Sequence, residues 1–266
     1  MKFASQPLWL LILAAGLAVQ TATAQEAQYS QYASPWKTPW DYQGERGHSH
    51  WSELDPAYAA CNRGKQQSPI DIRNARKADL PPLAFDYLSE PVRYVINNAH
   101  TIRVNYHDAP GAGSALVVDG KRYQLTQFHF HRPSEELIAG RRYAMVLHLM
   151  HTASDGEVAG VAVLLRAGKA NAAIGELWKH LPQSEGQLAA PELSINAADM
   201  LPGSAGYYVY TGSVTAPPCT EGVKWFVLKH PVEVSAEQIA SFARLYPDDV
   251  RPPQPLNGRV VLESLE

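Results

Sequence analysis

Gln127-Phe128-His129-Phe130-His131 alternates a glutamine and two histidines with two phenylalanines. Successive side chains of an extended strand point to opposite faces, so Gln127, His129 and His131 share one side and the phenylalanines the other. The aromatic side belongs in a core, which leaves the imidazoles facing a cavity. Another histidine stands in Leu147-His148-Leu149, within a second alternating stretch. Three neutral imidazoles around one open position form the ligand set of a catalytic zinc. That set favours zinc over copper or iron, although the pattern itself excludes neither. In residues 141–151, Val146, His148 and Met150 share one face and His151 lies on the opposite one. Parity alone does not say whether His148 or His151 joins the pair on the preceding strand. A single strand histidine is commonly a hydrogen-bonded core residue, so the His-x-His doublet carries the metal reading.

Working outward, strand-like runs are expected at 92–97, 101–106, 115–118, 122–131, 141–151, 158–166 and 224–229. Glycine, proline and asparagine separate most of them. Helical patterns occupy 172–181, stopped by Pro182, and 236–245, where Ser235 and Gln238 have capping-box spacing. Consecutive strands with few helices predict a mainly antiparallel, β-rich single domain. Residues 247–258, rich in proline and glycine, read as a C-terminal segment wrapped over the surface.

Lys2, an apolar run from Leu8 to Val19 and Ala22-Thr23-Ala24 have the layout of a signal peptide cleaved after Ala24. The run is short for a membrane span, and no lipobox cysteine follows it. The expected organisation is a signal peptide over 1–24, an irregular arm over 25–39 and one domain over 40–266, periplasmic or secreted. Removing Lys2 takes the formal charge of −3 to −4. Neither value resembles a basic nucleic-acid footprint, so no nucleic-acid partner is expected. No membrane span is expected in the mature chain, and the chain is compatible with a monomer or a homodimer. The two cysteines, Cys61 and Cys219, suggest a disulfide in an oxidising compartment. Closing so long a loop would stabilise the chain by roughly 5 kcal/mol at most. The bridge would also brace the nearby segment 212–218.

Seven segments occur in one order along the chain. They are Gln67-Ser68-Pro69-Ile70-Asp71-Ile72, Asn97-Asn98-Ala99-His100, 127–131, Pro133-Ser134-Glu135, Leu147-His148-Leu149-Met150-His151, Gly212-Ser213-Val214-Thr215-Ala216-Pro217-Pro218 and 251–259. Together they resemble an α-class carbonic anhydrase of the exported bacterial type, over roughly residues 40–260. The resemblance implies a large twisted, mostly antiparallel sheet with a few short helices on its surface and one zinc ion at the base of a conical cleft. It makes His129, His131 and His148 the ligands and leaves His151 structural. The implied activity is reversible hydration of carbon dioxide to bicarbonate by zinc-bound hydroxide, with weak esterase activity on the side. A zinc-bound water acidified to about pH 7 is a property of this enzyme class.

Thr215 then orients the hydroxide and donates to Glu135, an ionised acceptor. His100 matches the proton shuttle, a role suited to a group that titrates near neutrality. Tyr42 and Asn98 match residues that order the intervening waters. Met150, Gly160, Val214, Val223 and Trp225 match the apolar wall for carbon dioxide. The alternative in another class is a non-catalytic binding protein on the same fold, but members of that kind typically lack a zinc histidine.

Some positions depart from the family. Val146 stands where a glutamate usually accepts the third ligand's ring N–H, so a carbonyl, a water or another side chain is expected to serve His148. Glu136 replaces the histidine usual after Glu135. Gly160 replaces a valine, which predicts a wider pocket filled by the longer Met150. Ala216 removes a hydroxyl found in some members.

Overall fold

The computed structural model describes residues 36–106, 113–186, 188–189 and 192–265. The expected signal peptide and residues 25–35 of the arm lie outside them. Seven strands carry the cleft: β1 (Tyr94–Asn97), β2 (Ile102–Asn105), β3 (Lys121–His131), β4 (Met145–Ala153), β5 (Val158–Ala167), β6 (Tyr207–Ser213) and β7 (Glu221–Leu228). They run β1-β2-β3-β4-β5-β7-β6 through the middle of a thirteen-stranded sheet. Within this run every neighbouring pair is antiparallel except β5 and β7. The sheet is therefore mixed, with the antiparallel character the sequence predicts. β6 was not among the expected strands.

The aromatic face of β3 is buried as its alternation requires, with Phe128 and Phe130 fully inaccessible. Burial of each ring contributes about 2–3 kcal/mol. Two helices cover this face: α1 (Ala172–Trp178) and α2 (Ala236–Ala243). Phe130 meets Trp178 of α1 edge-on at 4.7 Å between centroids and lies 6.2 Å from Phe242 of α2. The capping box at α2 is present, with Ser235 Oγ accepting from Gln238 N and Gln238 Oε1 from Ser235 N. Gln238 also bonds the backbone of Asn171, the N-cap of α1, so one side chain holds both helix starts together.

Strict alternation fails once in β3, and the failure shapes the site. Tyr123 and Leu125 are buried at odd positions, whereas Phe128 and Phe130 are buried at even ones. Against β4, Met150 faces Gln127 but His151 faces Leu125, so Thr126 is an extra, unpaired residue. A β-bulge of this kind lets one strand change which parity faces the core. Thr126 Oγ1 donates to Met150 O at 2.9 Å and fixes the bulge.

Residues 247–258 do more than wrap the surface. Arg251 is only 2% exposed. Its guanidinium donates to Gln67 Oε1 (2.8 Å), Ser68 O (2.8 Å) and Cys61 O (2.7 Å). A guanidinium that must satisfy several donors pulls its backbone inward with it. Cys61 and Cys219 form a disulfide, as expected.

His151 lies on the core side of β4. Its Nε2 is 2.7 Å from the Tyr87 hydroxyl and its Nδ1 is 3.3 Å from Ala159 O. A neutral ring satisfies both contacts by donating from Nδ1 to the carbonyl and accepting at Nε2 from the Tyr87 hydroxyl. Burial pushes its pKa down to about 4. The unfolded chain thus binds the proton first, so this contribution is complete above about pH 6.5 and is lost as the pH falls toward 4. The expected loss is about 1 kcal/mol by pH 5.5 and about 3 kcal/mol by pH 4. Urea midpoints of chelator-treated wild type and His151→Gln should converge on acidification; a constant gap would refute this account. The other buried histidines are common to both proteins and cancel.

Gly160 pairs with Met150 on one side and Trp225 on the other. A Cβ at Gly160 would lie 2.6–2.9 Å from three atoms of the Trp225 ring. The space left by the absent valine is therefore taken by the indole rather than by Met150, and the expected widening does not occur there. The indole is held by Nε1 donating to Ser213 O at 2.9 Å. Gly160→Val is expected to cost about 1–3 kcal/mol in urea denaturation, since the ring must move. No change in midpoint would mean that Trp225 has room to yield.

Candidate metal centre

Across the antiparallel pair, His148 on β4 sits directly opposite His129 on β3, and His131 faces Val146. The register thus brings the two odd-numbered histidines of β3 and one from β4 to a single point. Ring centroids are 5.0 Å apart for His129 and His131, 5.3 Å for His129 and His148, and 5.0 Å for His131 and His148. One ring nitrogen from each lies within 4.8 Å of the other two.

The remaining nitrogens are all engaged. His129 Nδ1 is 2.9 Å from Gln127 Oε1, and His131 Nδ1 is 2.7 Å from Asp249 O. His148 Nε2 lies 3.0 and 3.1 Å from the two carboxylate oxygens of Glu136. Each acceptor fixes a tautomer and leaves Nε2, Nε2 and Nδ1, respectively, with lone pairs. His131 Nε2 and His148 Nδ1 are buried and have no hydrogen-bond partner among the described residues. Orphaned buried acceptors are costly and call for a ligand. Three converging imidazole lone pairs with engaged outer nitrogens fit zinc.

Burial pushes the pKa of His131 down to about 3, and burial with its two neighbours pushes His129 well below the usual range. Both stay neutral, as metal ligands must. Burial acts the same way on His148, but the Glu136 and Glu135 carboxylates outweigh it and raise its pKa.

Glu135 is fully buried beside this point. Its Oε1 accepts from Arg251 N at 2.8 Å, and its Oε2 lies 3.6 Å from His131 Nε2 and 3.9 Å from His148 Nδ1. Burial raises its pKa to about 7, against the lowering effects of His148, the Thr215 hydroxyl and the Arg251 N–H. Thr215 is buried and lines the same cleft. Its loop is tied down at Cys219, through the disulfide and through Gln67 Nε2 donating to Cys219 O at 3.0 Å.

The cleft above the histidines has a volume of about 250 Å³. Asn98, His100, Arg103 and Gln127 give it a polar side; Met150, Val214 and Trp225 give it an apolar one. Val223 is buried in the apolar cluster beneath, and Gly160 lies behind Trp225; neither is among the cleft-lining residues. Tyr42 stands between the histidine cluster and His100, 6.4 Å from both the His131 and His100 rings. The His100 ring stacks on Trp40 at 3.7 Å, with Nε2 2.7 Å from Trp40 O and Nδ1 3.1 Å from Asn98 O. Asn98 Oδ1 caps the turn by accepting from His100 N and Thr101 N.

Several residues of the site escape the sequence reading. The Asp249 contact is made by a backbone carbonyl and has no side-chain signature. Arg103 pairs with His129 across β2 and β3, and its charge helps to depress the pKa of His129. Trp36, from the arm, contacts His100 edge-on at 4.8 Å and donates through Nε1 to Pro217 O across the cleft mouth.

A family profile described as eukaryotic-type carbonic anhydrase matches residues 46–265. A carbonic anhydrase of Klebsiella pneumoniae is 40% identical over 225 residues, covering 84% of this chain and 90% of its own. One from Neisseria gonorrhoeae is 39% identical over 227 residues, covering 85% and 88%. The solved α-carbonic anhydrase of Thermovibrio ammonificans, in complex with the inhibitor sulfanilamide, superposes with a TM-score of 0.81 at 42% identity. That match covers 85% of this chain and all of the other. With the histidine cluster at the base of the same cleft, these matches place the chain in the α-carbonic anhydrase family.

Proposed function

We propose that the chain binds one zinc ion through His129 Nε2, His131 Nε2 and His148 Nδ1 and interconverts carbon dioxide and bicarbonate. The observation that carries this reading is the set of three converging ring nitrogens whose partner nitrogens are all engaged. When bound, the metal supplies Lewis acidity that makes water nucleophilic near neutral pH.

The chain's own residues do the rest. Glu135 accepts from the Thr215 hydroxyl, so the threonine oxygen turns its lone pairs toward the metal side of the cleft and holds the nucleophile's remaining hydrogen away from the substrate. Val214, Met150 and Trp225 offer an uncharged substrate a surface where water is poorly held. Arg103 and Gln127 also line the cleft and add polar groups that can meet the anion as bicarbonate forms. The released proton passes along waters ordered by Tyr42 and Asn98 to His100. Burial lowers the His100 pKa, while the Trp40 and Asn98 carbonyls oppose the shift.

An activated ester fits the same nucleophile, so weak esterase activity is expected on the side. Export to the periplasm or beyond belongs to the proposal and is supported by the N-terminal pattern and the disulfide.

Stopped-flow hydration by the zinc-loaded chain lacking residues 1–24 tests the reading. Fast turnover that disappears with chelation and returns with zinc is expected. Hydration no faster than buffer with zinc bound would overturn it and favour a binding protein on this fold. His100→Ala should lower kcat by at least about tenfold in dilute buffer, with recovery in concentrated imidazole and a smaller effect on kcat/KM. Equal losses in kcat and kcat/KM would remove His100 from proton transfer.

A further inference from the structure

Glu136 and Val146 depart from the family pattern separately in the sequence, but both departures bear on His148: Glu136 contacts its ring and Val146 shares its strand face. Val146 precedes His148 by two residues on β4 and so shares its face. It is fully buried with Ile70, Ile72, Ala162 and Leu164 and offers His148 nothing to bond. The carboxylate that reaches His148 comes instead from the loop after β3. Both Glu136 oxygens lie within hydrogen-bond distance of Nε2, and both residues are fully inaccessible to solvent.

The loop is built to hold that carboxylate. Ser134 N donates to Tyr143 O, Tyr143 N to Ser134 Oγ, and Ser134 Oγ to Glu136 O. Leu137 N then donates to Ile70 O, and Leu137–Ile138 pairs with Asp71–Ile72. The backbone is therefore fixed on both sides of Glu136. Among the described residues, His148 Nε2 is the only hydrogen-bond partner of this carboxylate. A second buried carboxylate, Glu135, precedes it in the chain. Buried carboxylates served by few donors are costly unless hydrogen bonds or a nearby cation satisfy them. The three ring nitrogens mark the place for one.

We infer that Glu136 is the positioning residue for the third metal ligand, a carboxylate moved from the β4 strand to the loop after β3. It holds the His148 proton on Nε2 and aims Nδ1 at the metal. Val146 is then an apolar filler that this relocation permits. The inference rests on the zinc reading proposed above.

The test compares zinc-loaded wild type with Glu136→Gln, Glu136→Ala and Glu136→Ala/Val146→Glu. Zinc dissociation constants are measured by chelator competition, and the hydrogen-bonded His148 Nε2–H is followed as a downfield proton resonance. Glu136→Gln keeps the side-chain volume, and circular dichroism checks that it folds. The expected result is a zinc Kd at least about tenfold higher in both single variants, with the downfield resonance shifted or lost. The double variant should recover part of the affinity and the resonance, because residue 146 lies two positions before His148 on the same face of β4. A folded Glu136→Gln with Kd within about threefold of wild type and an unmoved resonance overturns the assignment. If wild type binds zinc and hydrates carbon dioxide while this variant is unaltered, only the role of Glu136 falls. If wild type binds no zinc, the parent reading falls and takes the inference with it.

Discussion

The site depends on the register between β3 and β4 and on the one residue that interrupts it. Without the bulge at Thr126, keeping Phe128 and Phe130 in the core would turn Tyr123 and Leu125 toward the cleft. Keeping Tyr123 and Leu125 inside would instead turn the phenylalanines out and bury the histidines. The extra residue lets both halves of the strand bury apolar side chains. A slip of one residue exchanges the faces of a strand, so few alternative registers compete. Hydrophobic burial over eleven residues of β3 therefore sets the positions of His129 and His131. The same pairing places His148 opposite His129.

Register brings the rings together, and the rest of the chain decides how they are turned. Each outer ring nitrogen is met by a different piece: Gln127 from β3 itself, the Asp249 carbonyl from the C-terminal segment, and Glu136 from the loop after β3. The C-terminal segment can reach His131 because Arg251 anchors it, with its guanidinium on Gln67, Ser68 and Cys61 and its amide on Glu135. Cys61 is in turn bonded to Cys219, in the loop that carries Thr215. One arginine and one disulfide thus connect the histidine cluster, Glu135, the loop of Thr215 and both ends of the domain. The aim of His131 is a tertiary property, set by a residue 118 positions away.

What was legible in the sequence was what repeats locally. The alternation of β3 gave its two faces, and Ser235 and Gln238 gave the start of α2. β6 was missed although Tyr207-Tyr208-Val209-Tyr210-Thr211 is rich in strand formers; without alternating polarity its composition alone carried the signal. The bulge at Thr126 has no mark in one sequence, because the choice between Leu125 and Gln127 as a core residue is made by the partner strand. Glu136 could be seen as a departure but not as a remedy, since its distance from His148 depends on how the loop at 132–136 folds back. Gly160 was open to the same error: its vacant volume was visible, but the ring that fills it arrives on β7, a strand far off in sequence.

The position of His100 follows from competing demands on one ring. Stacked on Trp40, it has a carbonyl oxygen facing each nitrogen. A neutral imidazole can donate to only one of them, so the other contact sets a lone pair against a carbonyl oxygen; an imidazolium satisfies both. This geometry favours the ring once it carries a proton, while burial between Trp36 and Trp40 disfavours the charge. The net effect is a pKa below the usual histidine value. Burial and the two carbonyl contacts thus act on the proton in opposite directions, with burial the larger effect. In the role proposed for His100, the backbone acceptors favour capture of a proton and the aromatic wall favours its release.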